Sequence, residues 1–219
     1  MLYGGGKLAF AATTFPVTKN GITYDLYSTE ALHSLQGCVS VCGFVPEELV
    51  DGDGKKNNTQ VIIPETVTID GTTYTVKGVD IEGSDVYPTI TTIKLSSKVD
   101  RFRLYNPFRT DKFTDESGNE IKYYDHSKGV VNLPNLQYFD VDSKNTSLSE
   151  WHNQILLSKD GSKLICCPPA AKFTNVVFDG IKSFGPYAFF GCGLTKLVVP
   201  ASLETIDETA FCGFSGLAE

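Results

Sequence analysis

FTNVVFDGIKSFGPYAFFGC (residues 173–192) and LTKLVVPASLETIDETAFCGFSGL (residues 194–217) are two copies of one pattern. Phe173 matches Leu194, Val176 matches Leu197 and Phe178 matches Val199. Further on, Ile181 matches Leu203, Phe184 matches Ile206, Ala188 matches Ala210 and Phe189 matches Phe211. The offset is 21 residues at first (194 − 173) and 22 later (210 − 188). Apolar identity kept at a near-constant interval is the mark of a coil that repeats. The opening L-x-x-L-x-L predicts a short strand whose alternate side chains enter a core. The Ala-Phe pair would plug the opposite side of each coil. One coil cannot bury both faces alone, so stacked copies must share the interior. Leu217 falls 23 residues after Leu194, where another copy would open.

Working outward, weaker copies lie upstream. Ile90, Ile93 and Leu95, followed by Val99 and Phe102, repeat the spacing, and Leu136, Phe139 and Val141 repeat its first half. Two hairpins interleave. Asp70-Gly71 separates alternating runs from Val67 to Val76 and suits a type I′ turn, which needs positive φ at both central positions. That register sets Val67 opposite Tyr74. Ile155-Leu156-Leu157 and Leu164-Ile165-Cys166 flank a second turn, and Pro168-Pro169 ends it by removing ladder donors. Nearer the start, residues 21–27 and 38–44 alternate and read as strands of a separate small β unit. Residues 111–128 form a charged insertion, with 116–119 placed to turn another hairpin.

Composition narrows the function. Apolar residues make up 41% and charged residues 21%, enough for a packed core and too apolar for a disordered chain. The net charge is −7, and only Arg101, Arg103 and Arg109 approach a basic cluster, so nucleic acid is not an expected partner. No apolar run approaches the ~18 residues of a transmembrane helix. Lys7-Leu8-Ala9-Phe10-Ala11-Ala12 has the small residues of a signal-peptide cleavage site, so residues 1–14 read as a leader or signal remnant. The six cysteines form no C-x-x-C pair and read as small buried apolar residues, with a stacked Cys192–Cys212 pair conceivable. Cys38 and Cys42 on one strand lie too far apart to bridge.

LTKLVVPASLETIDETAFCGF and FTNVVFDGIKSFGPYAFFGCG resemble the BspA-type leucine-rich repeats of bacterial surface proteins. ILLSKDGSKLICCPPAA is similar to the hairpin between such repeats, and TQVIIPETVTIDGTTYTVKGV to the lead-in of the array; the likeness covers about residues 58–219. There are departures: Ser96 stands where Pro200 does in the last repeat, Asn106-Pro107-Phe108 replaces Ala-Phe, and Asp179-Gly180 replaces the Pro-centred turn. The resemblance implies export and adhesion or protein binding, and names no ligand. The expected fold is mainly β: a small N-terminal β unit over 15–85, then a short leucine-rich-repeat solenoid over 86–219, with an insertion at 109–132 and a hairpin at 153–168.

Catalytic chemistry is poorly supplied. His33, His126 and His152 lack a nucleophile motif beside them, and Cys166-Cys167 lacks a group placed to activate a thiol. Asp51-Gly52-Asp53-Gly54 resembles part of a calcium loop, but lysines follow and the closing Glu is missing. Gly4-Gly5-Gly6-Lys7 lacks the spacing of a phosphate loop. Asn57-Asn58-Thr59 and Asn145-Thr146-Ser147 are glycosylation sequons, relevant only in a eukaryotic secretory pathway. No catalytic residue, metal or cofactor is expected. With Leu194, Leu197 and Val199 facing in, Lys196 and Val198 face out, and the same parity turns Thr92, Lys94, Tyr138, Asp140, Asn175 and Val177 outward. These eight are the expected binding face for a protein or glycan, at the cell surface or in secreted form. Two alternatives stand: an architectural spacer in a larger surface protein, and an accessory domain of a polysaccharide-acting enzyme using acids such as Asp140, Asp142 and Glu150.

Overall fold

The structure is a computed structural model that describes residues 14–26, 37–81, 85–104, 110–114, 120–124, 131–171 and 176–214, with the backbone alone at 110–114, 120–124, 176 and 177. The leader expected at 1–14 therefore lies outside it, save for its last residue. Among the described residues the elements are β-strands and one 3-10 turn at Pro46–Glu48.

The first strands, β1 (Val17–Lys19), β2 (Ile22–Leu26) and β3 (Cys38–Phe44), form an antiparallel run, and β3 then pairs parallel with β6 (Thr72–Ile81). The hairpin expected around Asp70-Gly71 is present: β5 (Thr66–Ile69) pairs antiparallel with β6, and Val67 faces Tyr74. Asp70 (φ 48°) and Gly71 (φ 77°) both take the left-handed conformation that a type I′ turn demands.

The repeats build two sets of parallel rungs. On one side β4 (Gln60–Ile63), β7 (Thr92–Leu95) and β11 (Tyr138–Val141) form a parallel three-stranded sheet, and β15 (Val176–Val177) pairs parallel with β17 (Leu197–Val198). On the other, β6 pairs parallel with β8 (Arg101–Leu104). There too β14 (Lys163–Cys166) is followed in parallel by β16 (Ser183–Phe184) and β18 (Thr205–Ile206). Val176 sits against Leu197 and Ser183 against Thr205, intervals of 21 and 22 residues (197 − 176 and 205 − 183). Those are the intervals of the sequence repeat.

Longer intervals hold hairpins. β9 (Thr110–Thr114) and β10 (Glu120–Tyr124) pair antiparallel, with Thr114 opposite Glu120; the turn expected at 116–119 lies outside the described residues. The second expected hairpin is wider than its sequence suggests. β12 (Leu148–Trp151) joins β13 (Ile155–Ser158) and β14 in an antiparallel meander. Strands β4 and β6 belong to the stretch 15–85, yet they pair with β7 and β8 of the stretch 86–219.

Burial follows strand alternation. Val61 and Ile63, Ile93 and Leu95, and Phe139 and Val141 point inward, while their neighbours on each strand are half-buried or exposed. These residues belong to one buried cluster running from Ile22 to Cys166. A second cluster, from Ile155 to Ala210, fills the last coils. There the repeat partners Phe189 and Phe211 lie parallel with ring centroids 4.9 Å apart, and Phe184 meets Phe189 edge-on at 5.0 Å. Each such ring removed from water contributes about 1.5–3 kcal/mol, and aromatic pairing adds about 0.5–1.5 kcal/mol.

The parity expected of the last copy fails at Val199. Val199, expected to face in, is 56% exposed, and Ile206, the repeat match of Phe184, is 50% exposed, whereas their partners one coil earlier, Phe178 and Phe184, are buried. Phe184 meets Phe211 of the following coil, with ring centroids 6.0 Å apart. Among the described residues no strand pairs with the far side of β17 or β18, so nothing there covers Val199 and Ile206.

Candidate functional site

The outward residues of β4, β7 and β11 form two straight rows. Parallel pairing without a register shift places Gln60 beside Thr92 and Thr92 beside Tyr138; two residues on, Ile62 lies beside Lys94 and Lys94 beside Asp140. Strand period 2 sends both rows to one face, because the intervening Val61, Ile93 and Phe139 are fully buried. Tyr138 is 41% exposed, and the Lys94 ammonium reaches Asp140 Oδ2 at 3.0 Å. Both partners are largely solvated, so the pair orders the face more than it stabilises the fold. At the ends of the strands a shallow hollow of about 250 Å³ is lined by Ile62, Ile63, Lys94, Leu95, Ser96, Asp140 and Asp142.

Parallel strands from successive coils, with the inward rows of β4, β7 and β11 buried, decide the architecture. The fold is a mainly-β repeat solenoid of stacked parallel rungs. The chain is similar in structure to a leucine-rich repeat protein from Eubacterium ventriosum, at 16% identity over 91% of this chain and 63% of that one, with a TM-score of 0.44. It is also similar to a leucine-rich repeat protein from Bacteroides ovatus (17% identity, 88% of this chain, 37% of that one, TM-score 0.42). A third is a leucine-rich cell surface protein from Faecalibacterium prausnitzii (13% identity, 94% and 54%, TM-score 0.37). The chain thus spans less than two thirds of the length of each. No protein-family model and no curated protein matches it.

On this solenoid, four of the eight expected face residues, Thr92, Lys94, Tyr138 and Asp140, share the three-stranded sheet. Lys196 and Val198 are exposed on the last coil, Val198 on β17 in the separate two-stranded sheet. Val177 pairs with Val198 through the backbone, and Asn175 lies outside the described residues. Sequence reading missed Gln60 and Ile62. Their signal was present as the alternating run Gln60-Val61-Ile62-Ile63. The 32-residue interval to β7 (92 − 60) hid it, because the β5–β6 hairpin lengthens that coil.

A second concavity lies between the β6–β8 and β14–β16 rungs, with a volume of about 200 Å³, and Arg101, Arg103, Lys163, Ile165 and Pro186 among its walls. The Arg101 guanidinium makes a two-pronged contact with Asp80, Nη2 to Oδ2 at 2.6 Å and Nε to Oδ1 at 2.9 Å. That fork is largely buried and fixes the strands. Arg101 is thereby committed to a carboxylate of the fold rather than to a phosphate, and Arg109 lies outside the described residues.

The other singled-out groups are dispersed. His152 is exposed against Trp151, while His33 and His126 lie outside the described residues. The Asp51 carboxylate accepts the amides of Asp53 and Lys55 at 3.0 and 2.9 Å, closing the acidic loop on itself. Of the three acids considered for glycan chemistry, Asp140 is tied to Lys94. Burial, with the nearby Asp140 charge a smaller cause, raises the Glu150 carboxyl above its ordinary value. Asn145 of the second sequon is 1% exposed and spends its amide inward, on the carbonyls of Ser96 and Val99, leaving no room for a glycan in the folded chain. The cysteine pairing conceived from sequence is corrected: Cys192 faces Cys167, with Sγ atoms 3.0 Å apart. Cys192 follows Ala188 by four residues, but Cys212 follows Ala210 by only two, so the two cysteines are out of step in their coils.

Proposed function

We propose that this chain is an exported, non-enzymatic binding module of the BspA-like kind, and that the β4–β7–β11 face receives a protein or glycan partner. The observation that carries the reading is the pair of aligned outward-facing rows, Gln60–Thr92–Tyr138 and Ile62–Lys94–Asp140. A flat aromatic, an aliphatic patch and a fixed charge pair on a rigid sheet are what a recognition surface needs. Tyrosine buries large area at little entropic cost and so tends to anchor such contacts. The BspA-type resemblance supports export and a place at the cell surface.

The test is binding of the full chain to arrays of glycans and immobilised extracellular matrix proteins, repeated with Tyr138→Ala and Asp140→Lys. Affinity for the bound partner should fall about tenfold or more for Tyr138→Ala. Both substitutions are exposed and should leave the melting curve close to the parent's. A blank array, or a partner indifferent to both changes, would overturn the reading. Glycan cleavage on the same array would replace it with the enzymatic alternative.

A second reading has one observation behind it. Val198, Val199 and Ile206 expose apolar surface on the last described coil, which suits a spacer that packs against further chain in a larger surface protein.

A further inference from the structure

We propose that Cys167 and Cys192 are joined by a disulfide that staples the meander hairpin to the coil that follows it. Their sulfurs are 3.0 Å apart and both residues are buried. A bond needs about 2.05 Å, so closure asks for a movement of about 1 Å. A backbone hydrogen bond holds the Cys167 segment against the turn that carries Cys192. The Cys167 amide donates to Ala188 O at 2.7 Å, and the Cys192 amide donates to Phe189 O at 3.0 Å. Pro168 and Pro169 restrict the chain just beyond Cys167. Neighbouring cysteines are excluded by placement. Cys166 packs in the other apolar cluster, and Cys212 is half-exposed and out of step.

The chemistry is thiol–disulfide exchange with a low-molecular-weight disulfide such as oxidised glutathione. Cys192 acts as the first nucleophile because the Leu194 amide favours its thiolate; within the Cys167–Cys192 contact either sulfur can donate. The Cys192 thiolate attacks the oxidant's disulfide, forming a mixed disulfide and releasing one thiolate. Cys167 then gives its proton to the released thiolate and attacks the Cys192 sulfur, expelling the second. Two protein thiols are oxidised to one disulfide while one oxidant disulfide is reduced to two thiols. Because the pair is buried, exchange occurs as the chain folds or when this coil opens, and the closed bond is then shielded from reductants. The inference is independent of any ligand on the outer face.

The experiment refolds the full chain in a glutathione redox buffer, blocks free thiols in denaturant with N-ethylmaleimide, and maps the digest by fragmentation mass spectrometry. The expected product is two hydrogens lighter, has four blocked cysteines (Cys38, Cys42, Cys166 and Cys212), and yields a Cys167–Cys192 cross-linked peptide. Cys212→Ser and Cys166→Ala should both retain that peptide. Reduction should lower the melting temperature by about 10 °C, from the unfolded-state constraint of a loop of this length. Six blocked cysteines, a bond from Cys192 to Cys166 or Cys212, or a cross-link between chains would each overturn the proposal.

Discussion

Asn145→Ala should be among the most damaging single changes to a polar residue in this chain. The side chain is 1% exposed and bridges two coils. Its Nδ2 donates to Ser96 O at 2.9 Å and Val99 O at 2.8 Å, in the turn between β7 and β8. Its Oδ1 accepts the amides of Ser147 and Leu148, both at 2.8 Å, at the entry to β12. Truncation takes a partner from those four backbone groups, of which Val99 O and Leu148 N are in buried bonds and Ser96 O and Ser147 N in part-buried ones. A net hydrogen bond contributes about 1 kcal/mol, and an orphaned buried group costs about 1–3 kcal/mol. Ser96 O keeps a second donor, the Val99 amide at 3.3 Å, so the sum is held to about 3 kcal/mol. With a urea m-value of about 2 kcal/mol/M, the unfolding midpoint should fall by about 1.5 M. Asn145→Asp keeps the acceptor but sets a carboxylate against two carbonyls, and should be at least as harmful. A midpoint for Asn145→Ala within about 0.3 M of the parent's would show that the inter-coil bridge is not what holds β12 in place.

Two further predictions concern backbone conformation and charge. Gly21 and Gly71 both have positive φ, 75° and 77°, but a Cβ at Gly21 would lie 2.5 Å from Leu49 N and 2.8 Å from Val45 O, while at Gly71 it meets nothing within 4 Å. Gly71→Ala should therefore cost only the left-handed penalty of about 1–2 kcal/mol and Gly21→Ala distinctly more; equal urea midpoints would refute the steric argument. Asp160 is held at about 2 by the Ser158 hydroxyl first, and then by the amide and hydroxyl of Ser162. A carboxyl depressed in the folded state adds stability above its unfolded value of about 3.9 and loses it as pH falls through the folded value. An NMR titration of the Asp160 carboxyl should find its midpoint near 2 in the parent and near the unfolded value in a Ser158→Ala, Ser162→Ala double variant; a parent midpoint near 4 would remove the turn as its cause.

The sequence was most legible where a local rule has few solutions. Asp70-Gly71 suits a two-residue turn of one hand, so the Val67–Tyr74 register followed from it. The 21- and 22-residue spacing of apolar residues predicted which strands would stack, and the parallel pairs Val176–Leu197 and Ser183–Thr205 have that spacing. It was least legible where a coil carries an inserted hairpin. β4 was hidden in this way, and with it Gln60 and Ile62 of the candidate face. Strand β12 was missed for another reason: Leu148-Ser149-Glu150-Trp151 carries little apolar alternation and is held by its partner β13.

Alternation and spacing are properties of the chain itself, so composition and order sufficed to point to a β solenoid and to the parity of the β7 and β11 rungs. Burial of any one residue is a property of its neighbours. Only the folded coils decided that Val199 and Ile206 stay wet while Phe178 and Phe184 go dry, because coverage comes from the next strand along. Only they brought Cys167 to Cys192, Asn145 to Ser96, and Ile62 into line with Lys94, since each contact joins segments whose separation departs from the repeat interval.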